Sequence, residues 1–191
     1  MTKNRSKKFK AFTKGVTIAC IGDGKGKTSA AIGIATRARG YGKRVLFLQF
    51  FKSPEWPSGE RAALKKLGVK VKVYGEGFVG IMGDKKKRTV HKQAALKALE
   101  ASWKAIISGK YDVIIMDEAI SCLEQKLFSP SHLVEVLKSK TESKKGSKVH
   151  LVLTGHKRYP TVLKYCDVVT DMKMVKHPYS KGFLAVKGID F

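Results

Sequence analysis

Acidic residues are scarce in this chain. Only 15 Asp and Glu stand against 39 Lys and Arg, a net charge of +24 over 191 residues. Cysteine is scarce too. Cys20, Cys122 and Cys166 are odd in number, far apart and form no C-x-x-C pair. That excludes a disulfide scaffold and reads as reduced, mostly buried thiols of a cytoplasmic protein. No apolar run reaches the roughly 18 residues of a membrane helix. The segment Met1–Lys14 is basic and polar with no apolar h-region, so it does not read as a secretory signal. The five histidines, His91, His132, His150, His156 and His177, lack metal-ligand spacing. The basic residues are not striped with aromatics, so no base-stacking platform is visible.

An apolar content of 43% supports a globular fold without staples, and the length suits one domain. Residues 1–14 read as a basic flexible tail and 15–191 as a single α/β nucleotide-binding domain. Setting aside the six cations of Met1–Lys14 and the four of Lys85–Arg88 still leaves about +14 of the +24. Such a surface attracts polyanions, nucleic acid included, or is simply a solvated lysine-rich surface.

The most informative stretch is Gly22-Asp23-Gly24-Lys25-Gly26-Lys27-Thr28. A β-leaning run, Val16–Ile21, precedes it, and a helical one, Ser29–Ala38, follows. Strand, glycine-rich turn and helix are the setting of a phosphate-binding loop. Glycines let backbone N–H groups converge on one anion, and the helix N-terminus adds its positive end. Lys27 supplies a mobile cation and Thr28 a hydroxyl for Mg²⁺. The usual pattern is G-x-x-x-x-G-K-[ST]. Here the position of its first glycine is Ile21, so the loop starts at Gly22 and is one residue short. A glycine-rich β-turn with incidental lysines is the plainer alternative.

Further apolar runs alternate with helical patterns. Strands are expected at Val45–Phe51, Val69–Tyr74, Asp112–Glu118, Val149–Thr154 and Val168–Met174. Helices are expected at Glu60–Leu67, at Val90–Ser108 with Leu96, Leu99, Trp103 and Ile106 on one face, from Ser129-Pro130 to about Lys138, and at Tyr159–Tyr165. Gly75–Thr89 reads as a movable loop, Lys140–Lys148 as a polar connector, and Gly182–Phe191 as an edge strand or hairpin. The alternation predicts a three-layer P-loop (RecA-like) fold on a mostly parallel sheet.

Ligands of such sheets sit at the carboxyl ends of the strands. Asp117 and Glu118 close the run Val113–Met116 at that edge, and either holds Mg²⁺ beside Thr28, directly or through water. A helix N-cap at Asp117 is the alternative. Arg37 reads equally as a phosphate ligand or a surface arginine. His156 follows a strand and Gly155, and either contacts phosphate or lies free in a loop. Phe78 and Trp56 sit on loops at the same edge, either stapling them to the core or facing a large flat ligand.

These stretches line up with one family. The short loop with Ser29, then Ala35–Gly40, Gln49–Lys52, Gly59-Glu60-Arg61, Gly77-Phe78, Met116-Asp117-Glu118, Leu153-Thr154-Gly155, Val175–Pro178 and Gly188-Ile189-Asp190-Phe191 occur in that order. From Gly15 to Phe191 the chain resembles the ATP:corrinoid adenosyltransferases of the cobalamin pathway, in which the short loop is regular. The resemblance implies transfer of the 5′-deoxyadenosyl group of ATP to a Co(I) corrinoid with release of tripolyphosphate. It implies Mg²⁺ (or Mn²⁺) as cofactor, a homodimer, and a reducing protein as a compatible partner. Lys27, Phe78 and Glu118 would carry the chemistry; Gly22 to Ser29, Arg37 and His156 would hold ATP; Thr28, Asp117 and Glu118 would hold the metal. The chain departs from the family pattern at Gly80, where relatives often carry a second aromatic, and at His156, where they often carry arginine. The competing classes are a P-loop ATPase acting with nucleic acid, with Glu118 orienting water, and a non-catalytic nucleotide-binding relative.

Overall fold

Five short apolar runs and one segment that alternates valine with lysine become six parallel strands. The computed structural model describes residues 10–56, 58–80 and 83–190. Its strands are β1 (Thr17–Ile21), β2 (Val45–Gln49), β3 (Lys70–Val73), β4 (Val113–Asp117), β5 (His150–Thr154) and β6 (Val168–Asp171). They lie side by side in the order β3-β2-β4-β5-β1-β6, every pair parallel. The helices are α1 (Lys27–Gly40), α2 (Gly59–Lys66), α3 (Arg88–Ser108), α4 (Ser121–Glu124), α5 (Pro130–Glu142) and α6 (Pro160–Leu163).

The central strands are buried on both faces, and their side chains alternate between two cores. Ile114, Met116, Leu151 and Leu153 face one layer with α3 and α5, through Ala95, Ala98, Leu133 and Leu137. Val113, Ile115 and Val152 face the other with α1 and α2, through Ala31, Ala35 and Leu64. This is the expected three-layer α/β architecture. Among the described residues no helix is long and apolar enough to cross a membrane. The cysteines are free thiols, with Cys20 and Cys122 buried.

The structure corrects several expectations. The stripe on α3 runs through His91, Ala94, Ala95, Ala98, Leu99, Ser102, Ala105 and Ile106. Leu96 and Trp103 are 36% and 42% exposed, because small alanines let the helix approach the sheet and turn larger side chains to its flank. The helix from Pro130 runs on to Glu142, and a 3-10 turn at Gly146–Lys148 occupies the supposed connector. Tertiary partners explain it: Lys140 is buried, and its Nζ donates to the Gly15 carbonyl and, at 2.8 Å, to Thr17 Oγ1. The last strand ends at Asp171, and all four of its residues are exposed. The segment after Gly182 adds no strand among the described residues; residues 183–186 are irregular and 187–190 form a turn. Of the supposed tail, residues 1–9 lie outside the described residues and 10–14 are exposed.

Candidate nucleotide-binding site

β1 delivers the phosphate loop at the carboxyl edge of the sheet. Gly22 and Gly26 both have φ of 109°, a backbone that L side chains rarely adopt. Gly24 is needed for space, because a Cβ there would stand 2.7 Å from the Met172 carbonyl oxygen. The Gly22 N–H donates to the His156 carbonyl (2.8 Å) and the Gly24 N–H to the Met172 carbonyl (2.7 Å). These two amides brace the loop and do not face an anion. The N–H groups of Lys27, Thr28 and Ser29 in the first turn of α1 lack intrahelical acceptors and suit an anion.

Lys27 is 8% exposed, and its Nζ donates to the Gly24 carbonyl (2.7 Å). Burial holds its ammonium below the ordinary value, opposed by Glu118, Asp23 and Asp117. Lys25 is exposed and paired with Asp190. Asp23 accepts from the Met174 N–H at 3.2 Å, so it ties the loop to the segment after β6. Ser29 is exposed in the first turn of α1.

β5 separates β1 from β4 in the sheet, yet the acids still reach the loop. Thr28 Oγ1 donates to Asp117 Oδ1 at 2.9 Å. Thr154 Oγ1, at the end of β5, donates to the same oxygen at 2.9 Å. Asp117 is fully buried, and its Oδ2 has no partner. Burial and then Glu118 push its carboxyl up to about 7. Asp117 closes β4 and does not cap a helix, since α4 starts at Ser121. Glu118 has φ of 65°, and its N–H donates to Thr154 Oγ1 at 2.7 Å. One orphan carboxylate oxygen, a second carboxylate and a hydroxyl with free lone pairs suit a hard divalent cation such as Mg²⁺, which keeps water and phosphate as its other ligands.

The remaining sequence-derived residues divide. His156 is exposed beside the loop, with its ring Nδ1 3.2 Å from Ser121 Oγ. Arg37 is not brought to the site: it lies exposed in the last turn of α1, ten residues and about 15 Å along the helix from Lys27. Phe78 and Trp56, each 39% exposed, pack on one another with ring centroids 4.8 Å apart. They stand on the loops after β3 and β2, at the same carboxyl edge as the phosphate loop but on the far lateral side of the sheet from β1.

Two features appear in the sequence reading only as family stretches, with no role given to them. One is Thr154, whose signal was a hydroxyl closing an apolar run ahead of Gly155. The other is a polar lattice at the end of β2. Arg61 donates to Gln49 Oε1 (2.7 Å) and to the carbonyls of Ser53 (2.8 Å), Pro54 (3.2 Å) and Trp56 (3.1 Å), fixing the loop that carries Trp56. Glu60 accepts from Lys52 and from Gln49. The loop after Gly75 is tied as well. Asp84 accepts from the N–H groups of Gly80 and Lys86 and bonds His91, while Lys86 holds Glu76.

A parallel sheet in this strand order, with a glycine loop feeding α1 and a buried acid on its threonine, defines a P-loop-like α/β fold. Comparison with known proteins narrows the class. The chain belongs to the family described as ATP:corrinoid adenosyltransferase BtuR/CobO/CobP, whose model matches residues 13–191. It is 30% identical over 178 residues to the corrinoid adenosyltransferase of Escherichia coli (strain K12), covering 93% of this chain and 86% of that one. It is 30% identical over 182 residues to the corrinoid adenosyltransferase CobA of Salmonella typhimurium, with the same coverage. Against the Pseudomonas aeruginosa corrinoid adenosyltransferase it is 29% identical over 184 residues, 93% of this chain and 84% of the other. The family is one of transferases.

Proposed function

We propose that this protein transfers the 5′-deoxyadenosyl group of ATP to a Co(I) corrinoid in cobalamin synthesis or salvage. The observation that carries the reading is the family match over residues 13–191, which takes in both the shortened loop and the closing Gly188–Phe191 segment. In the reaction the cobalt electron pair attacks C5′ of ATP. A Co–C bond forms, the C5′–O bond breaks, and its electrons leave with tripolyphosphate. Co(I) is itself a strong nucleophile, so no general base is required.

The task left to the chain is to hold both substrates and to stabilise charge on the leaving triphosphate. The amides opening α1 and the Lys27 ammonium would bind that triphosphate. Lys27 would turn from the Gly24 carbonyl to do so. Thr28, Asp117 and Glu118 would hold Mg²⁺ (or Mn²⁺), which supplies further neutralisation of phosphate charge when bound. His156 would stand at the rim of the phosphate pocket. Phe78, backed by Trp56, would present aromatic surface to the corrin and exclude water from the cobalt. A cytoplasmic location, a homodimer and a reducing protein that delivers Co(I) belong to the same proposal.

Phosphorus NMR of a mixture of protein, ATP, Mg²⁺ and chemically reduced corrinoid tests it. Tripolyphosphate and a light-sensitive alkylated corrinoid are expected. Orthophosphate formed without any need for corrinoid would leave an ordinary ATPase and refute the reading.

A further inference from the structure

The segment Thr154-Gly155-His156 is a crosspiece between the phosphate loop and the strand acids. Gly155 has no room for a side chain: a Cβ would stand 2.5 Å from Ile120 Cβ and 2.6 Å from the Ser121 nitrogen. Its N–H donates to the Cys20 carbonyl of β1 at 3.2 Å. His156 accepts from the Gly22 N–H at 2.8 Å. Thr154, 1% exposed, uses its hydroxyl in both directions. It gives its one proton to Asp117 Oδ1 at 2.9 Å and accepts the Glu118 N–H at 2.7 Å.

We propose that Thr154 is a positioning residue that aims both acids at the cation accompanying ATP. The argument rests on the metal site assigned above and follows from counting donors. Asp117 Oδ1 receives two hydroxyl protons, from Thr28 and Thr154, while Oδ2 is buried with no partner. Two donors on one oxygen fix the carboxylate plane and leave the other oxygen buried and unpaired. The second bond acts on the backbone. Glu118 has φ of 65°, a conformation uncommon outside glycine, and the bond from its N–H to Thr154 helps retain it. An extended backbone after Asp117 would send the Glu118 carboxylate elsewhere. One hydroxyl therefore sets the side chain of the first acid and the backbone of the second. Thr28 cannot substitute for it, because its oxygen is the one offered to the cation. Removal of a hydrogen-bonding partner behind a metal ligand typically costs about 10- to 100-fold in metal affinity.

The test is Mn²⁺ binding by electron paramagnetic resonance, in the presence of ATP and without corrinoid. ATP binding in EDTA is measured alongside by calorimetry. Thr154→Val keeps shape and removes the hydroxyl. It should weaken Mn²⁺ in the ternary complex by about tenfold or more, while metal-free ATP affinity changes less than about threefold. Thr154→Ser should restore Mn²⁺ affinity to within about threefold of the parent. Thr154→Ala is a second hydroxyl-free variant with a different packing cost, and it should match Thr154→Val in Mn²⁺ affinity. Parent-like Mn²⁺ affinity in Thr154→Val, or equal losses in the Val and Ser variants, overturns the proposal. Asp117→Asn separates the underlying assignment. If it too binds Mn²⁺ like the parent, the metal site itself is misplaced; if it loses Mn²⁺ while Thr154→Val does not, only the role of Thr154 falls.

Discussion

Lys27 is stored rather than idle. Its ammonium is buried against the Gly24 carbonyl, so binding ATP as proposed would exchange one acceptor for phosphate oxygens of full charge. Lys27→Ala should weaken ATP by about 10- to 100-fold, the range that about 1.5–3 kcal/mol for a hydrogen bond to a charged group implies. Calorimetric affinity equal to the parent's would remove Lys27 from the site. Phe78 makes a different prediction. Its ring shares an aromatic contact with Trp56, and Gly80 offers no second ring on its own loop. Phe78→Ala should slow adenosylation that starts from Co(II) more than adenosylation from pre-reduced Co(I), leaving ATP affinity unchanged. Equal slowing in the two assays would argue against a role for the ring at cobalt.

Among the elements, the strands were the most legible and their ends the least. Apolar runs such as Val113–Met116 announce themselves because a strand buried on both faces needs no polar alternation. Val69–Tyr74 and Val168–Met174 were drawn too long, because hydropathy does not reveal where the neighbouring strand stops pairing. The α3 stripe was misjudged for a related reason: size was read as burial, whereas the sheet accepts the alanine face of that helix. At the site, Lys27, Thr28 and Asp117 were legible from motif and strand position. Thr154 and Arg61 stood only in family stretches with no role, because Thr154 acts through the register of β5 beside β4 and Arg61 through the fold of the loop it ties to β2. Two predictions belong at this scale. Gly155→Ala should cost about 1–3 kcal/mol, as overpacking typically does, and should weaken ATP binding, since the crosspiece must move; denaturant melts and calorimetry measure both. Asp112 joins the starts of β2 and β4 by accepting from the Arg44 N–H and guanidinium, and the guanidinium bond chiefly holds its carboxyl down to about 2. The unfolded chain, with an ordinary carboxyl, takes up that proton first as pH falls. The stabilisation is therefore present above about pH 4 and is lost on descent toward about 2. Asp112→Asn should flatten the melting temperature across that window, by about 1 kcal/mol or less for so exposed a pair. A parent-like acid slope in the variant would discount the pair.

As a whole the molecule is a strongly positive body whose proposed substrate ATP is an anion. At low ionic strength its field extends about 30 Å, and at physiological salt about 8 Å. Stopped-flow association of ATP should slow markedly between those conditions, while dissociation changes little. A rate independent of salt would show that Asp117, Glu118 and Asp23 cancel the excess charge at the entrance. The bracing of the phosphate loop has a consequence in time. Gly24 leans on Met172, a residue synthesised roughly 150 positions later. At about 5–20 residues per second, some 7–30 s pass between the appearance of the loop and the arrival of its support. A growing chain carries the whole glycine motif and yet presents no finished cradle. The proposed nucleotide would then be a ligand of the completed fold and not a scaffold for its synthesis.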